Sequence, residues 1–170
     1  MLETFYKRRA CRSFDPNKKV EEEKLQQIID AGLQAPSGRG TQNVIIIAIS
    51  DKETRDRLSK INSLGMMPGD PFYGAPVILL VASKKGPFAQ LDGAAVLENL
   101  LLAATEVGLA SCWIHRAKEE LELDETRELL KFTCLDFNEY EGIGHAIIGY
   151  PLNYKYPPKP IKPNRVFYSK

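Results

Sequence analysis

Arg8, Arg9 and Arg12 fall within five residues, just after a short segment in which Leu2, Phe5 and Tyr6 recur at helical spacing. Three guanidiniums this close repel one another unless an anion sits among them, and the planar fork of Arg matches phosphate oxygens. On that segment alone, a solvated basic turn is the commoner outcome. Other stretches extend the chemistry. The loop APSGRGTQN, residues 35–43, is built of small residues, and Gly38 and Gly40 let backbone N–H groups approach a ligand closely. YEGIGH, residues 140–145, looks like a Gly-bearing turn that opens a strand, and the tail carries Lys159, Lys162 and Arg165. Together the four stretches suit a flat ligand bearing a phosphate. The Gly-x-Gly at 38–40 is not a dinucleotide fingerprint, because that motif follows a strand and opens a helix, and here the order is reversed. Two His and three widely spaced Cys offer no ligand set for a metal. Cys112 is expected in the core, and His115 is expected to be a packed histidine at a strand end. Phe72 and Tyr73 suit either a lid over a substrate or the core.

These groups need elements to position them, and the dominant one is DGAAVLENLLLAATEVGLASCWIHR, residues 92–116. Its first half, Asp92–Val107, covers more than one face of a helix with apolar residues, Gly108 suits a left-handed helix end, and Leu109–Ile114 follows as a buried strand. Glu98, Asn99 and Glu106 interrupt it, and it is too short for the roughly 20 apolar residues a bilayer demands. A helix apolar on most sides calls for cover, and a second copy of the chain is the simplest source. Around it the pattern predicts helices over Leu2–Arg9, Val20–Leu33, Asp51–Ile61 and Glu119–Phe132. Strands are predicted over Val44–Ile49, buried on both faces, Pro76–Ala82 and Ala146–Tyr150. The tail from Pro151 to Lys170 holds five of the eleven prolines and should run extended. It ends in Val166, Phe167 and Tyr168, which need a surface to dock on.

With 170 residues, 44% hydrophobic and 26% charged, the chain fits one globular domain spanning 1–170. Its net charge of +1 leaves no electrostatic footprint for nucleic acid or an anionic membrane. An odd number of cysteines without a leader-like segment points to reduced thiols and a cytoplasmic location.

RRACRSF, APSGRGTQ, DGAAVLENLLLAA, GLASCWIH, EGIGHAIIGYP and the KP-rich tail, in that order, resemble the FMN-dependent nitroreductase family. The resemblance covers essentially the whole chain, and GLASCWI and APSGRGTQ are its most specific parts. Alternating helices and strands alone would suggest a doubly wound parallel sheet. The resemblance implies instead an α+β three-layer sandwich with a mixed, largely antiparallel sheet. It also implies an intertwined homodimer, with the central helix at the interface and residues 151–170 crossing to the partner.

The resemblance further implies FMN at two sites built from both chains. Arg8, within the basic motif that includes Arg9, would bind the phosphate, and Arg12 would sit nearer the pyrimidine end. Pro36, Ser37, Gly38 and Gln42 would approach from the other subunit, and Asn62 would stand beside the ring. Glu141 and Gly142 would face flavin N5. Lys159 would clasp the phosphate, and Lys162 would replace the Arg usual at Ile161. No side chain would act as nucleophile or acid. FMN would take hydride from NADH or NADPH onto N5 and reduce a nitroaromatic, quinone or similar acceptor by a ping-pong cycle. A non-catalytic FMN-binding protein, a flavin store or redox sensor, is the alternative.

Overall fold

The computed structural model describes residues 2–63, 69–153 and 159–169. Four strands, β1 (Val44–Ile49), β2 (Val77–Lys84), β3 (Ala110–Ile114) and β4 (Tyr140–Gly149), form one sheet in the order β1-β2-β4-β3. All three pairings are antiparallel, and the parallel contact among the described residues is an isolated bridge between Ala10 and Ser111. The alternation of helix and strand that suggests a parallel sheet is real, since β2 and β3 both run antiparallel to β4 and therefore parallel to each other. β4 inserts between them, so the parallel pair never touches.

Helices cover both faces. α1 (Leu2–Lys7), α2 (Glu22–Leu33) and α4 (Ala89–Glu106) lie on one side, and α3 (Lys52–Ser63), α5 (Ala117–Leu121) and α6 (Asp124–Leu129) on the other. Along β2, Val77, Leu79 and Val81 join the core under α4, while Ile78, Leu80 and Ala82 join the core under α3 and α5. A strand covered on both faces has no polar side, which is why its sequence is a continuous apolar run. In α4, Val96, Leu97, Leu100, Leu101 and Ala104 are buried against the sheet and α2. The helix ends as its Gly108 predicts. Gly108 adopts φ +79°, its N–H bonds Thr105 O at 3.2 Å, and Leu109 N–H bonds Ala104 O at 2.8 Å. That is a Schellman closure, and it hands the chain directly to β3.

Three local expectations are corrected. β1 has the predicted bounds but is an edge strand, and Ala48 faces solvent rather than a second buried face. The helix expected over 119–132 is broken into α5, α6 and a 3-10 turn at Lys131–Thr133, because Leu123 is extended (φ −86°, ψ 132°). Arg127 Nε then donates to the freed Leu121 carbonyl at 2.9 Å. The break re-aims the chain so that Leu121, Leu129 and Leu130 all reach one core.

The third correction concerns 140–145, which form the start of β4 and not a turn. Val81 pairs with Gly144 and Ala82 with Gly142, so Ile143 is an extra residue in β4, a β-bulge. At Gly142 the strand touches α5 so closely that a Cβ would lie 2.1 Å from Ala117 O. This position needs glycine for a close backbone approach, rather than for a turn.

Candidate functional site

A cleft of about 440 Å³ opens beyond the outer side of β3, within the size range of small-molecule sites. Arg12, Asn62, Tyr73, Cys112, Trp113, His115 and Arg116 line it. The Ala10–Ser111 bridge, with Cys11 N–H bonded to Ser111 O at 2.9 Å, lays the basic segment alongside β3. Arg12 thereby reaches the rim and is exposed, while Arg8 turns toward α4, its Nε 3.4 Å from Glu98 Oε1. Arg9 Nη1 donates to Arg8 O at 2.6 Å. Cys112 is buried as expected, and burial pushes its thiol up although Arg12 and Arg8 pull the other way, so it stays a neutral wall group.

The opposite wall is held by a partly buried ion pair. Asp70 pairs with Arg55, accepts from Ser59 Oγ at 2.7 Å, and accepts from the N–H groups of Phe72 at 3.0 Å and Gly74 at 2.7 Å. Arg55 Nε bonds Ala75 O at 3.0 Å, so residues 70–75 are tied to α3 at several points. Burial alone would raise the Asp70 carboxyl, but these hydrogen bonds outweigh it and hold it below the usual carboxylate range. A depressed folded value means stability that is present above the roughly 3.9 of an unfolded Asp and lost as pH falls through the folded value. Asp70→Asn is expected to cost about 1–3 kcal/mol at pH 7. It should also flatten the loss of stability below about pH 4, which urea unfolding at a series of pH values would read.

Phe72 is fully buried and meets the His145 ring at 5.3 Å, so it belongs to the core, whereas Tyr73 lines the cleft with φ +53°. His115 corrects the expectation of a packed histidine. It is exposed, lines the cleft and lies 6.2 Å from the Trp113 ring. The packed histidine is His145, with Nε2 2.8 Å from Glu120 Oε2 and Nδ1 3.3 Å from Ile114 O. Asn62 Nδ2 donates to Glu120 and, at 3.0 Å, to His115 O. Sequence reasoning missed this network. Its one local signal is a histidine placed inside the apolar run of β4, since Glu120 sits in an acidic stretch that looks solvent-facing.

Pro36, Ser37 and Gln42 line a different cavity of about 180 Å³ with Val44 and Val96. Gly38 N–H bonds Asp92 Oδ1 at 2.9 Å, and Gln42 N–H bonds Ser37 Oγ at 3.0 Å, so the loop is ordered against the start of α4 and β1. It stands by the β1 edge of the sheet, whereas Arg8–Arg12 and the cleft stand by β3. Three inter-strand steps, about 14 Å, separate those edges. Glu141 and Gly142 lie within β4, outside the cleft lining, and Glu141 Oε2 accepts from Gln90 Nε2 at 2.8 Å. Lys159 and Lys162 are exposed in the tail. Among the described residues no cluster could hold a metal ion, and no helix is long and apolar enough to cross a membrane.

A three-layer α+β fold with an arginine-rimmed cleft at the sheet edge has the architecture of a small-molecule-binding domain. The chain belongs to the Nitroreductase family, whose profile matches residues 6–71 and 63–150. A nitroreductase of Bacteroides fragilis solved with bound FMN superposes with a TM-score of 0.86 at 25% identity, over 99% of this chain and 98% of that one. An FMN-dependent nitroreductase of Clostridium difficile is similar at TM-score 0.81 and 26% identity, over 100% and 99% of the two chains. A protein of Archaeoglobus fulgidus provisionally named NADH dehydrogenase/NAD(P)H nitroreductase is 29% identical over 133 residues, 76% of this chain and 75% of its own.

Proposed function

We propose that the chain is an NAD(P)H-dependent FMN oxidoreductase acting as a homodimer on a small organic acceptor such as a nitroaromatic or quinone. The observation that carries this reading is the cleft, in a fold that superposes along nearly its whole length on nitroreductases solved with FMN. The donor set fits the cofactor. Arg12 supplies a cation at the rim, and Cys112 and Ile114 supply an apolar wall. Trp113 Nε1 is buried against Gly144 with no hydrogen-bond partner among the described residues, so it is not a donor to the cleft. When bound, FMN supplies the redox chemistry, accepting hydride from NADH or NADPH and passing two electrons to the acceptor in a ping-pong cycle.

The chain's own residues bind, orient and exclude water. Arg8 and Arg9, with Lys159 and Lys162 of the tail, neutralise the phosphate, and Arg12 stabilises negative charge toward the pyrimidine end. Asn62 offers a polar contact at the wall. Pro36, Ser37, Gly38 and Gln42 complete the site from a second copy, because their own chain holds them at the far edge of the sheet. Glu141 and Gly142, expected to face flavin N5, lie within β4 outside the cleft lining, with Gly142 seated against Ala117, and carry no role in this reading. The tail crosses to the partner, where the exposed Val166, Phe167 and Tyr168 find cover.

The visible spectrum of the purified protein, before and after anaerobic NADH or NADPH, is the test. A flavin band that bleaches is the expected result. A band that persists would favour a flavin store or sensor, and no band after incubation with FMN would sink the cofactor assignment.

A further inference from the structure

Asn62 reaches the cleft wall from the last turn of α3, and its amide could sit either way round on shape alone. Its surroundings permit one way. Nδ2 faces His115 O at 3.0 Å and the Glu120 carboxylate, and both of those partners only accept. The nitrogen end must therefore point inward, and Oδ1 receives no hydrogen bond from any described residue. Turning the amide over would set its carbonyl against a carboxylate in a low-dielectric interior, where unpaired polar groups are costly. Glu120 is itself held. Its Oε2 lies 2.8 Å from His145 Nε2, and the two side chains are 1% and 0% exposed.

We propose that Glu120, held by His145, is a positioning residue that locks the Asn62 amide with its oxygen toward the cleft. The cleft then selects a ring that presents an N–H donor at this wall. The inference rests on the FMN reading above, and the flavin ring carries one such donor, the imide N3–H. Glu120→Gln keeps size and shape but can offer Asn62 either a donor or an acceptor, so both amide orientations become available.

The test compares dissociation constants for FMN and for N3-methyl FMN in wild type, Glu120→Gln, Asn62→Ala and the double variant. Wild type should bind FMN about tenfold more tightly than the methylated flavin, because methylation leaves Oδ1 unpaired. Glu120→Gln should bring that ratio to within about twofold by weakening FMN, and should add nothing to Asn62→Ala. A purely structural role would weaken both flavins alike and leave the ratio at its wild-type value, which would overturn the assignment. Equal binding of the two flavins by wild type would overturn it while leaving the FMN reading intact. Binding of neither would overturn both. Should Glu120→Gln not fold, magnetisation transfer in the wild-type FMN complex decides. Transfer from the Asn62 NH₂ protons to the His145 ring supports the inference, and transfer to the flavin ring overturns it.

Discussion

Replacing His145 with leucine is expected to destabilise the protein by about 3–5 kcal/mol, the range for removing one partner of a buried, hydrogen-bonded ionisable pair. Glu120 lies 1% exposed in the interior, and its contacts are His145 Nε2 on one oxygen and the Asn62 amide on the other. Without the ring, a carboxylate stays behind with half its partners gone, and water cannot reach it. Urea unfolding reads the loss directly. The double replacement His145→Leu with Glu120→Met should recover most of it, because apolar residues of similar volume replace buried pairs with little penalty. A single-variant loss below about 1 kcal/mol would show that the pair contributes packing rather than charge complementarity. The same experiment should loosen the cleft, since Asn62 and the His115–Arg116 wall both lean on this pair.

Replacing Arg8 with alanine is expected to weaken FMN binding by about 100-fold, as a charge-assisted contact to phosphate contributes roughly 1.5–3 kcal/mol. Folding and dimerisation should change little. The contact Arg8 makes within the chain, to Glu98 at 3.4 Å, is partly exposed on both sides, and such pairs contribute at most about 1 kcal/mol. Glu98→Gln is the informative companion. It frees the guanidinium, so FMN affinity should hold or rise a few-fold. Titration of apoprotein with FMN, alongside sedimentation for the dimer, separates the two effects. If Arg8→Ala bound FMN within about twofold of wild type, the phosphate role would pass to Arg12 at the rim.

Much of this architecture is local and therefore visible in the chain. Helix α4, its Gly108 closure and β3 follow one another in a single stretch, and each depends on residues within a few positions. The cap on α3 is equally local, with Asp51 Oδ1 accepting from Thr54 N–H at 2.8 Å. The basic segment was visible in the chain as clustered arginines, and the small-residue loop by its composition. Neither stretch says where the other lies.

The misplaced features share one cause. YEGIGH has the composition of a turn, yet its glycines serve a bulge and a backbone contact with Ala117. His115 sits at a strand end where packing is the common outcome, but β3 is an outer strand and its end opens on the cleft. Glu120 looks solvent-facing in an acidic stretch, and only the meeting of α5 with β4 and α3 buries it.

The sequence by itself determined most of the helices and strands, among them α2, α4 with its Gly108 end, β1 and β2, because those follow from periodicity and side-chain chemistry within short windows. Tertiary structure decided the strand order, the bulge, the His145–Glu120–Asn62 network and the placing of the arginine segment and the small-residue loop at opposite edges of the sheet. Each of these is a choice among pairings distant in the chain. β4, the longest strand at 10 residues, lies between β2 and β3, where both of its edges are paired, and no local pattern encodes that choice.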